Sequence, residues 1–217
     1  MNRSPRERPI IFSADMVKAI IAGRKTQTRR VVKSQPASWQ DIYDFEDGTY
    51  ARVGEDFESL PFCCPYGRPG DRLWVREAFK VNPWIFNDPS MGPGTPDCVS
   101  YRADGEHQEI EERMVWSSPI YMPRWAARLL LEVTCVRVER VQEISEQDAI
   151  AEGCQPDYGE SGRILWPAID NYADLWDSIN KKRGFGWDSN SWVWAISFRV
   201  LDCRCEPLLQ RSQTEVV

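Results

Sequence analysis

Apolar residues recur along the chain at two distinct periods, and these divide it into ordered blocks separated by irregular stretches. Ile10-Ile11-Phe12 is a short apolar run suited to a buried strand. Ser13 then stands at an N-cap position before a helix over residues 15–22, in which Met16, Val17, Ile20 and Ile21 share one face, and Gly23 is placed to end it in the left-handed conformation. Residues 24–32 follow, where β-branched side chains favour extended structure. Residues 71–77 read as a strand with Leu73 and Val75 on one face and Trp74 and Arg76 on the other. From Arg128 the pattern is strongly β: Leu129, Leu131, Val133 and Cys135 fall on one phase and Val136 and Val138 on the other, so a one-residue slip near Cys135 predicts a bulge or sharp bend. Ser145-Glu146-Gln147-Asp148 has the form of a capping box with Asp148 in the reciprocal position, opening a short helix that Gly153 closes. Ile169, Tyr172, Leu175, Trp176 and Ile179 recur at helical spacing, and residues 192–200 alternate strictly, with apolar even positions, as in a half-buried strand.

The resulting order is strand, helix, several strands, helix, helix, strand. Helices do not alternate regularly with strands, which argues against a doubly wound parallel sheet. The expectation is an α+β fold: a small, mainly antiparallel barrel with flanking helices and long loop insertions. One domain spans 1–217, with core blocks at about 9–33, 68–79, 125–153 and 169–201 and insertions at 34–67, 80–124 and 154–168.

With 217 residues, 42% of them hydrophobic and ten of them Trp, the chain is long enough for an ordinary core. The net charge of −6 argues against a protein that coats nucleic acid by bulk electrostatics. That total hides an asymmetry. Residues 1–33 hold nine Lys/Arg against Glu7 and Asp15, a net of +7, which leaves −13 for the remainder. No apolar run approaches the roughly 18 residues of a membrane span, and the N-terminus lacks the apolar centre of a signal peptide, so a cytoplasmic location with no membrane partner is expected. Seven cysteines, an odd number, point to reduced thiols. Cys63-Cys64 and Cys203-Arg204-Cys205 lack the two-residue spacer of a zinc knuckle, so no metal site is expected. The one histidine, His107, lies in an acidic run, which argues against a Ser-His or Cys-His hydrolase.

Gly23-Arg24-Lys25-Thr26-Gln27-Thr28-Arg29-Arg30 resembles the signature of the ASCH domain, a branch of the PUA-like β-barrel superfamily with the usual pattern Gly-x-Lys-x-x-Glu-x-Arg. Gly23, Lys25 and Arg30 match. Thr28 stands at the family's Glu position, as it does in the bacterial N(4)-acetylcytidine amidohydrolases of the same family. Residues 131–134 leading into 144–153 resemble the strand and helix that carry the amidohydrolase glutamate, which puts Glu152 in that role. Gly70-Asp71-Arg72-Leu73-Trp74-Val75 looks like a strand start common in the superfamily, and Met122-Pro123-Arg124-Trp125-Ala126 with the final strand is similar to ASCH proteins of phages and prophages. The resemblance implies a PUA-like barrel and a catalytic set of Lys25, Thr28 and Glu152. It also implies no cofactor, a nucleoside or an RNA or modified base as partner, and no obligatory protein partner.

Hydrolysing an acyl group from the exocyclic amine of cytosine needs a nucleophile, a base, an acid for the departing amine and donors for the oxyanion. Thr28 offers the hydroxyl. Lys25, as the neutral amine, takes its proton, and Arg24, Arg29 and Arg30 lower the lysine's pKa by repulsion. Glu152 sits in the last turn of its helix, where the negative dipole end raises a carboxylate's pKa and suits a general acid. Arg24, Arg29, Arg30 and Arg76 are the candidate substrate-binding residues, with Arg30 and Arg76 suited to holding a phosphate or polarising a carbonyl. Trp125, with Trp39, Tyr66, Trp84 and Trp116, is a candidate to stack on a base, while Trp74, Trp192 and Trp194 fall in strand phase as packing. The plain rivals are a solvated basic turn at 24–30, a strand threonine and a surface helix glutamate. The functional alternatives are an RNA or modified-base binding module without chemistry, and an RNase using the same cleft.

Overall fold

A computed structural model describes residues 4–33, 35, 42–44, 49–53, 59–81, 98–105, 115–159 and 161–204. Trp39, Trp84 and His107 lie outside the described residues. Among the described residues twelve strands run in chain order: β1 (Glu7–Ile11), β2 (Gln27–Val31), β3 (Ile42–Asp44), β4 (Thr49–Val53), β5 (Ser59–Cys63), β6 (Arg72–Arg76), β7 (Phe79–Val81), β8 (Val99–Tyr101), β9 (Leu129–Arg140), β10 (Asp157–Tyr158), β11 (Ile164–Trp166) and β12 (Trp192–Cys203). Among the described residues three α-helices accompany them: α1 (Ala14–Ile21), α2 (Glu146–Ala151) and α3 (Ala168–Asn180).

The central sheet has the order β1-β6-β9-β12-β2. Its β1–β6 pair is parallel and its other three pairs are antiparallel. The fold is therefore α+β with a mainly antiparallel sheet and flanking helices. The insertions differ from the expected loops, because β3-β4-β5, β7–β8 and β10–β11 form small antiparallel ladders there. Although β1 and β2 stand at opposite ends of the sheet order, Arg30 of β2 donates from Nη2 to the carbonyl oxygen of Ile11 at 2.6 Å. Four strand spacings of about 4.8 Å in a flat sheet would exceed an arginine's reach, so the sheet curls until its two edges meet through this side chain.

Local signals explain most element ends. Ser13 Oγ accepts the N–H of Met16 at 3.4 Å, and Gly23 closes α1 at φ +70°. Val17 and Ile20 are buried, but Ile21, assigned to the same face, is exposed, because the next turn is covered only on the sheet side. At α2, Ser145 Oγ accepts the N–H of Asp148 at 3.1 Å. The reciprocal half of the capping box is not made: the Asp148 carboxylate instead takes Arg29 and Arg137, each at 2.9 Å. Helix α3 begins after Pro167, and Glu146 of α2 accepts the N–H groups of Ala168 at 2.6 Å and Ile169 at 3.3 Å, locking the two helices together.

The slip near Cys135 is a bulge: Ser197 pairs with Cys135 and Phe198 with Val133, leaving Thr134 without an opposite residue. Strand β12 departs from the half-buried reading. Trp194, Ile196 and Phe198 enter the main core with Ile10, Phe12, Leu73 and Leu131. Val193 and Ala195 are buried as well, because α2 and α3 cover the other face in a second core that includes Ala149, Tyr172 and Trp176. Val200 and Leu201, past that cover, are exposed. A third cluster holds Trp74, Phe79, Tyr101 and Met122. Among the described residues no helix is long and apolar enough to cross a membrane. Cys63, Cys64, Cys98, Cys135 and Cys154 are free thiols, whereas Cys203 is disulfide-bonded, a departure from an all-reduced chain.

Candidate active site

The turn after α1 positions the first residue of the site. Arg24 and Lys25 donate their N–H groups to Ala19 O at 2.9 and 3.0 Å, and Thr26 donates to Ala151 O at 2.8 Å, which ties this turn to the last turn of α2. Lys25 is thereby carried beneath the C-terminal end of α2, where Glu152 is the C-cap residue. Its Nζ donates to the main-chain oxygen of Glu152 at 2.8 Å and to Oε2 at 2.6 Å. One cation thus caps a helix carbonyl and pairs with the carboxylate beside it. Gly153 follows at φ +96°, a conformation other residues rarely adopt, and packs here with room for a Cβ at ordinary contact, 3.4 Å from Ala19 Cβ and 3.5 Å from Lys25 Cβ.

Burial is the chief cause of a Lys25 pKa below the ordinary lysine value. Glu152 opposes the shift, and Arg30 adds a smaller lowering. The expected direction holds, but for a different main reason than the repulsion by neighbouring arginines. Arg24 is exposed. The Glu152 carboxylate, expected to feel a bare helix end, sits between Lys25 and Arg29, whose Nη1 lies 3.3 Å from Oε1.

Arg29 organises the wall behind Glu152. Its guanidinium donates to Glu139 at 2.8 Å, Asp148 at 2.9 Å and the Gln27 side-chain oxygen at 2.6 Å, and lies 5.9 Å from the Tyr172 ring. Its side chain is wholly buried, so this arginine does not offer a cation to a ligand. Arg30 points to the other face of β2, over Phe12 at 5.1 Å and Tyr66 at 5.9 Å, and its Nε has no hydrogen-bond partner.

A cavity of about 210 Å³ opens along β2. Thr28, Arg30 and Glu152 line it, with Tyr66, with Tyr172, Trp176 and Ile179 of α3 and with Phe185, and Lys33 and Arg183 stand at its mouth. Both of those cations are exposed. Thr28 is buried, and among the described residues nothing hydrogen-bonds its hydroxyl. Lys25 stands behind Glu152 and makes no hydrogen bond to Thr28 Oγ1, so the expected direct proton transfer from Thr28 to Lys25 has no contact to run through.

The structure thus brings Lys25, Thr28 and Glu152, with Arg29 and Arg30, to one place, but leaves three other candidates elsewhere. Arg24 faces solvent because its side chain leaves the turn outward. Arg76 stacks on Trp74 at 4.6 Å, donates to Ile120 O at 3.2 Å and is not part of the cavity wall. Trp125 lies on a 3-10 turn before β9, outside the cavity wall. Of the insertion aromatics, Tyr66 lines the cavity, while Trp116 takes the Lys80 ammonium at 4.2 Å. The residues that sequence reasoning missed are the aromatics of α3 and Phe185. Their helical spacing reads as core, and nothing in the pattern marks which part of the stripe opens onto a void. Among the described residues no group of three His, Cys, Asp or Glu converges as metal ligands.

No protein-family model matches this chain, and no curated protein does. Solved structures that resemble it include the following two. One is a protein of Enterococcus faecalis V583 assigned to the DUF984 family, with 14% identity over 95% of this chain and 86% of that one and a TM-score of 0.39. The other is an ASCH domain from Lactobacillus crispatus JV V101, with 12% identity over 91% and 80% of the two chains and a TM-score of 0.39. Likeness of this size carries no functional argument, and the reading of the site rests on its own residues.

Proposed function

We propose that the cavity hydrolyses the amide of N(4)-acylated cytidine, as an ASCH-type amidohydrolase acting on nucleosides or bases in the cytoplasm. The observation that carries this reading is that Thr28 and Glu152 line one cavity while Lys25 fixes Glu152 at 2.6 Å. Thr28 Oγ1 attacks the acyl carbon as its proton passes to the Glu152 carboxylate. The oxyanion that forms is stabilised by the guanidinium charge of Arg30, a residue of the cavity wall. The C–N4 bond breaks, Glu152 returns the proton to N4, and cytidine departs. Water then attacks the Thr28 ester and gives one proton back to the threonine oxygen, so the products are cytidine and a carboxylic acid. Glu152, which reaches the cavity, carries the proton, and Lys25, which does not, holds Glu152 in position.

Purified protein incubated with N(4)-acetylcytidine is expected to release cytidine. Thr28→Ala and Glu152→Gln should each lower kcat about 100-fold or more. Equal inactivity of wild type and Thr28→Ala over a panel of acylated cytosines overturns the proposal. A second reading, binding of RNA or a modified base without chemistry, is favoured by Lys33 and Arg183 at the mouth. It predicts salt-sensitive binding and no turnover.

A further inference from the structure

Strand β2 is the last strand of the sheet, and its hydrogen-bonding phase decides which main-chain groups face the cavity. Thr26 O accepts from Phe198 N–H at 2.8 Å, and Val32 N–H donates to Trp192 O at 3.0 Å. The even-numbered residues of β2 therefore bond to β12, in a register that pairs Thr28 with Ile196 and Arg30 with Trp194. In an antiparallel ladder the alternate residues turn both N–H and C=O the other way. At Gln27, Arg29 and Val31 these groups point to the free edge, and Arg29 and Val31 both line the cavity. Arg29 supplies an independent sign of this. Its side chain is 0% exposed while the residue as a whole is 5% exposed, so its main chain is what it shows to the cavity. Among the described residues nothing hydrogen-bonds the Arg29 N–H or C=O. Main-chain groups left unpaired in so enclosed a place call for a polar partner.

We propose that this edge reads the base. The N–H and C=O of Arg29 form a paired donor and acceptor that matches an adjacent acceptor and donor on one planar ring, as N3 and N4–H provide in cytosine and its N(4)-monoacyl derivatives. The inference deepens the cytidine-directed reading above and rests on it for the identity of the ring. The void selects a single ring: about 210 Å³ is below the roughly 300–1,000 Å³ of sites for drug-sized ligands. Tyr66, Tyr172 and Trp176 in the cavity wall offer aromatic surfaces for its faces. The buried ion pairs of the Arg29 guanidinium hold the strand that carries this edge, which gives that charge a positioning role without contact to the ligand. An extended peptide adding as a sixth strand is the other possible occupant of a free edge. It is disfavoured because side chains of α3 line the cavity beside the strand, in the space a sixth strand would take.

The test uses the full, isotope-labelled chain and three ligands that cannot be hydrolysed: cytidine, 3-methylcytidine, which lacks the N3 acceptor, and N(4),N(4)-dimethylcytidine, which lacks the N4–H. Cytidine should shift the Arg29 amide resonance and slow its hydrogen exchange, and each methylated analogue should bind at least about tenfold more weakly. The inference is overturned if cytidine leaves the Arg29 amide unmoved up to millimolar concentration, or if either analogue binds within twofold of cytidine. Slowed exchange at Gln27, Arg29 and Val31 with an extended Val-Thr peptide, and none with cytidine, overturns it in favour of strand addition. Because cytidine is a product, the readout is independent of turnover. Hydrolysis of N(4)-acetylcytidine with no change at Arg29 removes only this inference, and the expected changes without hydrolysis remove only the enzyme reading.

Discussion

Lys25 and Glu152 form a pair with almost no contact with water, and such pairs are costly to break because the survivor is left charged in a poor solvent. Lys25→Ala is expected to lower stability by about 3–5 kcal/mol, read from the urea midpoint. Glu152→Gln keeps the shape and an acceptor for Lys25 but removes the charge that pairs with it, so it should lower the urea midpoint as well as lose activity. Beside this pair, burial and the Glu152 charge push the Cys154 thiol up to about 11. A raised acid contributes stability that is whole below its ordinary value of 9.0 and is lost as pH rises through about 11. In the folded protein, iodoacetamide should therefore modify exposed Cys63 first, and Cys154 labelling, followed by mass spectrometry, should climb only as pH approaches 11. The resemblance of residues 23–30 named Lys25 and Thr28 in the sequence. The burial of Lys25 behind Glu152 was not legible there, because burial depends on α2, which lies more than 100 positions further along.

Caps and turns set the elements, and here the sequence was most informative. Ser13, Gly23, Ser145 and Gly153 act where their chemistry placed them, since each works on its nearest neighbours. Gly153 also packs against Ala19 and Lys25, where a Cβ would sit at ordinary contact distance, so its left-handed φ of +96° is what calls for glycine. Gly153→Ala is expected to cost about 1–2 kcal/mol in a thermal melt through that backbone strain. The bulge at Thr134 was legible from the phase slip of β9. The Asp148 half of the capping box was not, because Arg29 and Arg137 compete for that carboxylate from distant strands. Strict alternation likewise misread β12, since a polar-looking phase built of Val193 and Ala195 is small enough to be covered by α2 and α3.

Across the whole molecule, part of the +7 of residues 1–33 is cancelled inside the fold. Lys25 and Arg29 are neutralised internally by Glu152, Glu139 and Asp148. The other cations lining the cavity are Arg30 and, at the mouth, Lys33 and Arg183, set in a chain of net charge −6. A mouth of this kind suits one phosphate beside a base better than a long polyanion. Lys33→Ala and Arg183→Ala should each weaken binding of a cytidine-containing oligonucleotide and reduce its salt slope by about 0.7, while leaving the affinity for free cytidine nearly unchanged. A fluorescence anisotropy titration at several salt concentrations measures this, and an unchanged slope argues for a site that takes nucleosides alone.

By itself the sequence determined the local chemistry: where strands and helices begin and end, where β9 slips, and which short motif carries the lysine and threonine. These follow from interactions between residues a few positions apart. The tertiary structure alone decided which charges cancel, which stretch of the α3 stripe opens onto a cavity, and which main-chain groups of β2 are left without a strand to bond. Each depends on elements joined by the fold across more than 100 residues, as Arg29 is to Glu139 and Lys25 to Glu152, and hydrophobic periodicity holds no record of such pairings.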